Sequence, residues 1–307
     1  MPGVINTGSL PKLLWPGLQE IFGVWYKEHP ATYNRLFNIV KSDKAYEEYV
    51  GVTGFAPGAV KSQGASIYYD SQQQGYTTRI TNVTYGLGYI VTYEEIKDNQ
   101  YPKMTASRTR SLAFSMRQAV EINAHSVYNN CTTAGYVGGD GIVLASTGHL
   151  NVSGGTYANT PTVPADLSEA SLEDGLIAIR GFTDDKGLLI DCKPVSLVVA
   201  RQELYNATRI TKSVYQPGTA MNDINATKLL GSIPGGVIDS VYLTAPHTWF
   251  IRTDAGGDAH GMIFQEREAV RFFSDNDFDT QNFKAGAMQR YAAGWDDPRA
   301  LWTNPGP

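Results

Sequence analysis

The sequence predicts an α+β protein, because two clearly helical segments stand beside many short runs of β-forming residues. One helical segment lies near the N-terminus, and the other runs from Met104 to Cys131 without Gly or Pro. Runs rich in Tyr, Thr, Val and Ile occupy residues 51–93 and recur between 237 and 295. The 307 residues are 42% hydrophobic and 18% charged, so the chain can bury a core as one elaborate domain or as two ordinary ones.

Charge and cysteine content disfavour several classes of function. The chain has 25 Lys and Arg residues and 30 Asp and Glu residues, which gives a net charge of −5, and it has no run of five like charges. Both features disfavour tight sequence-independent DNA binding. Cys131 and Cys192 are too few for a disulfide framework or a thiolate zinc site, and they favour a reducing compartment. The sequence has no apolar stretch of about 20 residues and no signal-peptide cleavage pattern. We therefore expect a soluble protein made inside the cell, without a membrane partner.

The first helix is predicted from Leu10 to Tyr26, where apolar residues recur at spacings of three and four. Its apolar stripe consists of Leu14, Leu18, Ile21, Phe22 and Trp25. Such a stripe packs on its own domain, docks on another subunit or binds a membrane surface. Only Lys12 and Lys27 add positive charge, which weakens the membrane alternative.

A β-hairpin is predicted in the next segment. Ala65–Asp70 and Tyr76–Tyr85 have the composition of strands, and residues 71–75 join them. Neither strand has a strongly apolar face, and an isolated two-stranded ribbon is only marginally stable. We therefore expect the hairpin to pack against a surface outside its own domain.

The longest helix follows a short capped one. Thr92 and Glu95 form a capping-box pattern, which opens a helix that Pro102 ends. The next helix, from Met104 to about Cys131, would be about 40 Å long. Its apolar stripe consists of Leu112, Met116, Val120, Ala124 and Val127. It is either a long core helix or an element that reaches beyond a compact domain.

The second half of the chain alternates helices and strands. A helix is predicted from Asp166 through Ile179, ending near Gly181, and a turn follows at residues 184–187. The other expected elements are a strand at 195–200, a helix at 202–210 and strands at 237–243, 249–253, 262–273 and 283–295.

No sequence pattern identifies a catalytic or cofactor site. Residues 138–141 lack the third Gly of a dinucleotide-binding fingerprint and predict a loop. Residues 275–280 have the alternating oxygens of a calcium loop, but Thr280 and Gly286 stand where that loop needs Gly and Glu. We favour a turn between two strands there, with calcium binding as the lesser alternative. No catalytic residue, cofactor or metal ligand is assigned.

Several stretches in the second half point to a family. They are 166–173 (DLSEASLE), 184–188 (DDKGL), 193–199 (KPVSLVV), 217–225 (PGTAMNDIN), 275–280 (DNDFDT), 290–295 (RYAAGW) and 297–299 (DPR). Together with the order of arm, hairpin, long helix, α/β insert and returning strands, they resemble the major capsid proteins of tailed bacteriophages, which have the Hong Kong 97-type fold. The resemblance is greatest to Mu-type major head subunits and covers nearly the whole chain.

The resemblance implies a structural protein of the virion rather than an enzyme. Its subunits would form hexamers and pentamers that close into an icosahedral shell around double-stranded DNA, assembled in the bacterial host cytoplasm. Because Met1 leads almost directly into the arm, a separate scaffolding protein is implied. A portal and a possible cement protein are further implied partners. No motif for autocatalytic cross-linking is identifiable.

The resemblance also implies a division of the chain. Residues 1–50 would be an N-terminal arm and 51–91 an extended loop. Residues 92–190 with 262–307 would form a peripheral domain that contains the spine helix, and 191–261 an axial domain.

The arm and the extended loop supply the expected contacts between subunits. We expect the apolar stripe of the arm helix to look exposed in a single chain, because a neighbouring subunit would cover it. The expected hairpin contacts are Tyr68, Tyr69, Gln73, Gly75, Tyr76, Arg79 and Tyr85, of which the Tyr and Arg side chains are enriched in interfaces. Two other functions stay open, namely an encapsulin-type nanocompartment shell, which shares this fold, and a small soluble enzyme.

Overall fold

The computed structural model describes residues 10–98, 101–216, 223–257 and 260–307, without the side chains of 10–16, 96 and 101–104. Residues 217–222, which contribute to the resemblance, and the side chain of Leu14 lie outside this description. The helices are α1 (Leu10–Glu28), α2 (Tyr33–Leu36), α3 (Tyr93–Lys97), α4 (Tyr101–Asn129), α5 (Glu169–Arg180), α6 (Leu204–Lys212) and α7 (Ala226–Leu229), with a 3₁₀ turn at Pro298–Ala300. No described helix combines the length and apolar composition needed to cross a bilayer.

Twelve strands are present in the described part of the chain. They are β1 (Asn38–Lys41), β2 (Tyr46–Val52), β3 (Gln74–Thr81), β4 (Val83–Val91), β5 (His149–Leu150), β6 (Thr156–Tyr157), β7 (Pro194–Ala200), β8 (Val237–Ser240), β9 (Trp249–Thr253), β10 (Met262–Asn276), β11 (Phe283–Trp295) and β12 (Leu301–Asn304). One four-stranded sheet has the order β1-β10-β11-β4, and the other has the order β12-β9-β7-β8. The α+β prediction is therefore confirmed.

The long helix α4 is present as predicted and begins three residues earlier. Its 29 residues extend about 43 Å. All five members of its apolar stripe are buried. Pro102 lies in the first turn of α4 instead of ending α3, which is a position that proline tolerates because first-turn N–H groups lack helical partners.

Buried side chains join the helices to both sheets. Tyr128 of α4 packs on Phe250 of β9 and on Phe37, which in turn packs on Phe264 of β10, so one cluster connects the two sheets. A second cluster places α5 and α6 against Trp249 and Trp302. These contacts fix the positions of the two sheets and the long helix relative to one another.

The α1 stripe behaves differently from the expectation. Leu18 and Phe22 are buried in their own chain, against α4 and β10. The predicted exposure of the stripe in a single chain is therefore wrong for these two residues, because the chain's own long helix offers the apolar partner. Ile21 and Trp25 are only partly buried, and their contact with another subunit stays a prediction.

The hairpin exists, but with a different first strand. β3 pairs with β2 in antiparallel register, with Tyr46 opposite Thr81. Residues 65–70 form no strand, and residues 71–75 are not the turn. The ribbon therefore consists of β2 and β3, and residues 53–73 form a long loop between them. The predicted strand Tyr76–Tyr85 is split at Asn82, and its second part continues as β4 in the larger sheet.

The remaining predicted elements are found within a few residues of their expected limits. Ser168 caps α5, because its Oγ accepts the N–H of Ser171 at 3.2 Å. Asp184 closes the predicted turn, since its Oδ1 accepts the N–H groups of Lys186 and Leu188, both at 2.8 Å. Residues 138–141 form a loop, as predicted. Strands β1 and β12 and the short helices α2 and α7 were not predicted.

Candidate assembly surfaces

The base of the ribbon is attached to the larger sheet. Ile80 of β3 is buried beside Ile263 and Ala292. The hydroxyl of Tyr49 on β2 accepts a hydrogen bond of 2.9 Å from the amide of Gln265, whose side chain is fully buried. The base of the ribbon is therefore fixed to β10 and β11 of the larger sheet.

Arg79 is held within its own ribbon. Its guanidinium donates to Glu48 at 2.6 and 2.9 Å and lies 4.2 Å from the ring centre of Tyr46. The pair bridges β2 and β3 across the register. Because Arg79 remains about half exposed, contact with another subunit stays a prediction for it.

The loop between β2 and β3 is closed at its base by two hydrogen bonds between Thr53 and Gln73. The N–H of Thr53 donates to the carbonyl of Gln73 at 3.0 Å, and the N–H of Gln73 donates to the hydroxyl of Thr53 at 2.8 Å. Gln73 and Gly75 therefore lie at the root of the loop and not at its tip. Gly75 faces Gly51, where a side chain would meet backbone atoms at 2.9 Å, so only glycine fits this close pairing.

A second attachment lies between the base of the loop and its exposed tip. Asp70 accepts the N–H groups of Ala56 and Ser71 at 2.7 and 2.8 Å, and it forms an ion pair of 3.4 Å with Lys186. The two backbone hydrogen bonds lower the pKa of Asp70, and Lys186 adds to this effect. The loop is thus tied to the turn that precedes β7.

The tip of the loop is solvent-exposed throughout residues 57–69. Tyr68 and Tyr69 expose 66% and 79% of their surface, and Val60 exposes 99%. Tyr76 is also exposed. Tyr85 lies outside the ribbon, since it belongs to β4 and stacks on Tyr291 with ring centres 4.5 Å apart. Its predicted place on the hairpin is therefore wrong.

A buried carboxylate joins the N-terminal region to the long helix. Glu121 of α4 accepts the N–H groups of Thr32 and Tyr33 at 3.0 and 3.2 Å. The hydroxyl of Thr32 also donates to it, and Arg117 lies 3.6 Å away. Glu121 thereby caps α2, whose N-cap residue Thr32 makes no side-chain capping bond of its own.

The glycine loop 138–141 lies against the ribbon. A side chain on Gly139 would meet the hydroxyl of Thr78 at 2.6 Å and the carbonyl of Thr77 at 2.9 Å. The loop is held in place by Asp140, whose Oδ2 forms a 2.7 Å hydrogen bond with Nδ1 of the buried His149. The sequence predicts the loop but carries no signal for its partner.

The acidic stretch 275–280 is a turn between β10 and β11. Asp277 pairs with Lys284 at 2.7 Å, and this hydrogen bond lowers the pKa of Asp277. Within the described residues, no group of three or more His, Cys, Asp or Glu side chains is placed to hold a metal ion. The preferred prediction, a turn between two strands, is confirmed by the course of the chain from the end of β10 to the start of β11.

Residues 75–304 match the family model described as phage capsid protein. The chain belongs to that family. The match begins on β3 and ends in β12, so it includes the long helix, the sheet β12-β9-β7-β8 and three strands, β4, β10 and β11, of the other four-stranded sheet. No curated protein matches the chain.

Solved capsid structures share the fold of this capsid protein. The virus-like particle from Pyrococcus furiosus is 9% identical with a TM-score of 0.55, over 94% of this chain and 97% of that one. The capsid of Mycobacterium phage Patience is 11% identical with a TM-score of 0.55, over 95% and 86%. The procapsid of bacteriophage JBD30 is 14% identical with a TM-score of 0.52, over 97% and 75%. The chain therefore has the Hong Kong 97-type fold, and it is a structural protein of a capsid.

The capsid protein exposes more surface than a compact chain of its size. Its accessible area is 17169 Å², whereas a compact monomer of 33.5 kDa exposes about 12,700 Å². Part of the excess is apolar, because Tyr205 on α6, Leu229 at the end of α7 and Leu230 directly after it each expose more than 70% of their surface. Exposed apolar side chains of this kind are typical of surfaces that become buried on association.

Proposed function

We propose that this capsid protein assembles, as hexamers and pentamers of itself, into an icosahedral shell that encloses the double-stranded DNA of a tailed phage. The observation that carries the proposal is the loop 53–73, which has no core of its own and exposes apolar and aromatic side chains. A segment of this kind gains stability only when another surface covers it.

The extended loop is the proposed clamp between neighbouring subunits. Tyr68 and Tyr69 offer a large contact area at a low cost in conformational entropy. The arm supplies a second contact through the exposed parts of Ile21 and Trp25. We propose the division of the chain given above, with residues 191–261 around the centre of each capsomer, where Tyr205, Leu229 and Leu230 would meet their copies.

Other partners follow from the same role. The net charge of −5 supports enclosure of DNA without tight or sequence-specific binding. We propose a separate scaffolding protein, a portal at one vertex, a possible cement protein, and assembly in the bacterial host cytoplasm before DNA enters.

One deletion tests the clamp. Residues 55–72 are replaced by a short Gly-Ser link, which leaves Thr53, Gln73 and the strands in place. The cost to the fold is small, because shortening a flexible loop changes its closure entropy little. We expect the subunit to unfold at the same urea concentration as the full chain, while electron microscopy shows no closed shells. Normal shells from this variant would exclude the clamp.

The similarity to the Pyrococcus furiosus virus-like particle favours a second candidate, a nanocompartment shell that encloses a protein. Shells purified from the natural source distinguish the two, because one contains DNA and the other a protein cargo. A small soluble enzyme would sediment as a small oligomer and form no shell.

A further inference from the structure

A cavity of about 440 Å³ lies between the base of the ribbon, the glycine loop and the turn at 184–187. Its walls carry five carboxylates and one guanidinium, from Asp140, Asp184, Asp185, Asp296, Asp297 and Arg299. Strand β2 and residues Gly75 and Tyr76 form one side of it. The cavity is therefore acidic and adjoins the segment proposed as the clamp.

Three of the carboxylates retain hydrogen-bonding capacity. Asp184 accepts two backbone N–H groups through Oδ1, while Asp185 and Asp297 meet Arg299 through Oδ1. Their Oδ2 atoms accept no hydrogen bond from the described residues. Arg299 is already engaged by both carboxylates, the carbonyl of Thr183 and the ring of Tyr157, so it leaves the cavity with an excess of negative charge.

A buried donor lies within the wall of the same cavity. The side chain of Trp295 is 5% exposed, and its indole N–H has no hydrogen-bond partner among the described residues. The nitrogen lies beside Gly138 on the cavity wall, where an added Cβ would be 2.9 Å from it. Because a buried N–H without an acceptor is unfavourable, this wall fits a ligand that brings a carbonyl oxygen as well as a positive charge.

A lysine within an extended peptide supplies both groups, and this chain contains one. Lys61 is the only charged residue between Thr53 and Tyr69. It lies on the exposed tip of the loop and forms no ion pair with any described residue. Its neighbours Ala59, Ser62 and Gly64 are small, so they let the backbone approach a wall.

We propose that the loop tip of a second copy of this chain inserts Lys61 into the acidic cavity. This inference rests on the proposed shell. The ammonium group of Lys61 meets the free oxygens of Asp184, Asp185 and Asp297, and a backbone carbonyl of the tip accepts the indole N–H of Trp295.

Zero-length carbodiimide cross-linking of assembled shells tests the proposal. Equal amounts of ¹⁴N- and ¹⁵N-labelled subunits are mixed before assembly, coupled and digested for mass spectrometry. We expect amide links between Lys61 and Asp184 or Asp185 in peptides of mixed isotope, and their loss in unassembled subunits. The pair Lys186–Asp70 couples within one chain and serves as the internal positive control.

Two test variants and one control variant extend this experiment. Lys61→Gln should abolish the mixed-isotope link and make shells dissociate at a lower salt concentration, while Lys41→Gln, which removes another exposed lysine, leaves both unchanged. Asp184→Asn with Asp185→Asn should act as Lys61→Gln does. Shells that form without any Lys61 link, with Lys61 links only inside one chain, or with Lys61 coupled to other carboxylates overturn this inference and leave the shell intact. Failure to form any shell instead contradicts the proposed function.

Discussion

Glu121 accepts the backbone N–H of Thr32 at 3.0 Å, although 89 positions separate the two residues in sequence. The side chain of Glu121 is 1% exposed, and Arg117 beside it is 8% exposed. One carboxylate thus fixes the segment after α1 to the middle of the long helix. The arm is therefore joined to the body by a buried charge as well as by apolar contacts.

Glu121→Ala is expected to lower the free energy of unfolding of the unassembled subunit by about 3–5 kcal/mol. The substitution leaves Arg117 buried without its carboxylate and two N–H groups of α2 without an acceptor. Urea unfolding measures the change. Glu20→Ala, at an exposed position of α1, should stay within about 0.5 kcal/mol of the natural chain. Equal effects of the two variants would contradict the capping role.

His125 is expected to make the fold sensitive to acid. Its side chain is fully buried, and burial lowers its pKa below the ordinary value. Below about pH 6.5 the unfolded chain therefore binds a proton that the folded chain does not. The free energy of unfolding consequently decreases as the pH is lowered. We expect this residue to contribute to the loss of stability between pH 7.5 and 5.5, by no more than about 1.4 kcal/mol for each pH unit below 6.5.

His125→Gln keeps a donor for the carbonyl of Glu121 and cannot titrate. The difference between the two chains, measured by urea unfolding at both pH values, should show a shallower acid loss in the variant. An unchanged slope would mean that other groups control the acid response.

Gly139→Ala is expected to weaken the contact between the glycine loop and the ribbon. The added methyl group would overlap the hydroxyl of Thr78 and the backbone of Thr77, and overpacking of this kind costs about 1–3 kcal/mol. Hydrogen exchange should increase in β2 and β3. Gly148→Ala has open space around its Cβ, and we expect it to leave exchange unchanged.

Asn159→Leu is expected to destabilise the fold by at least about 3 kcal/mol, because it leaves several buried backbone groups without a partner. The amide of Asn159 donates to the carbonyls of Leu144, Pro298 and Leu301 at 2.6 to 3.1 Å and accepts the N–H of Ser146 at 2.9 Å. Thermal unfolding measures the loss. The same substitution at Asn34, which is exposed, should have little effect; a similar loss there would mean that the network around Asn159 is unimportant.

The sequence by itself determined the elements whose pattern is local. The periodic stripe of α4, the helix α5 and the turn at 184–187 each depend on residues a few positions apart, and all three were predicted. The Ser168 cap, which starts α5 three residues later than predicted, came from the structure. The capsid family could also be predicted, because short stretches in a fixed order carry the resemblance. The turn between two strands at 275–280 could likewise be predicted.

Only the tertiary structure decided which distant segments meet. The stripe of α1 shows that a partner is needed, but not that Leu18 and Phe22 find it on α4 of the same chain. Strand composition predicted a ribbon that contains β3. That β3 pairs with β2 and not with residues 65–70 depends on the closed loop and on the contacts of Ile80 and Tyr49 with the larger sheet. Glu121, Asn159 and Trp295 gave no signal in sequence, since a lone polar residue is assigned a role only by the groups that folding brings around it. Pairing between distant segments is selected by the burial and hydrogen bonding of the whole fold, which no local pattern contains.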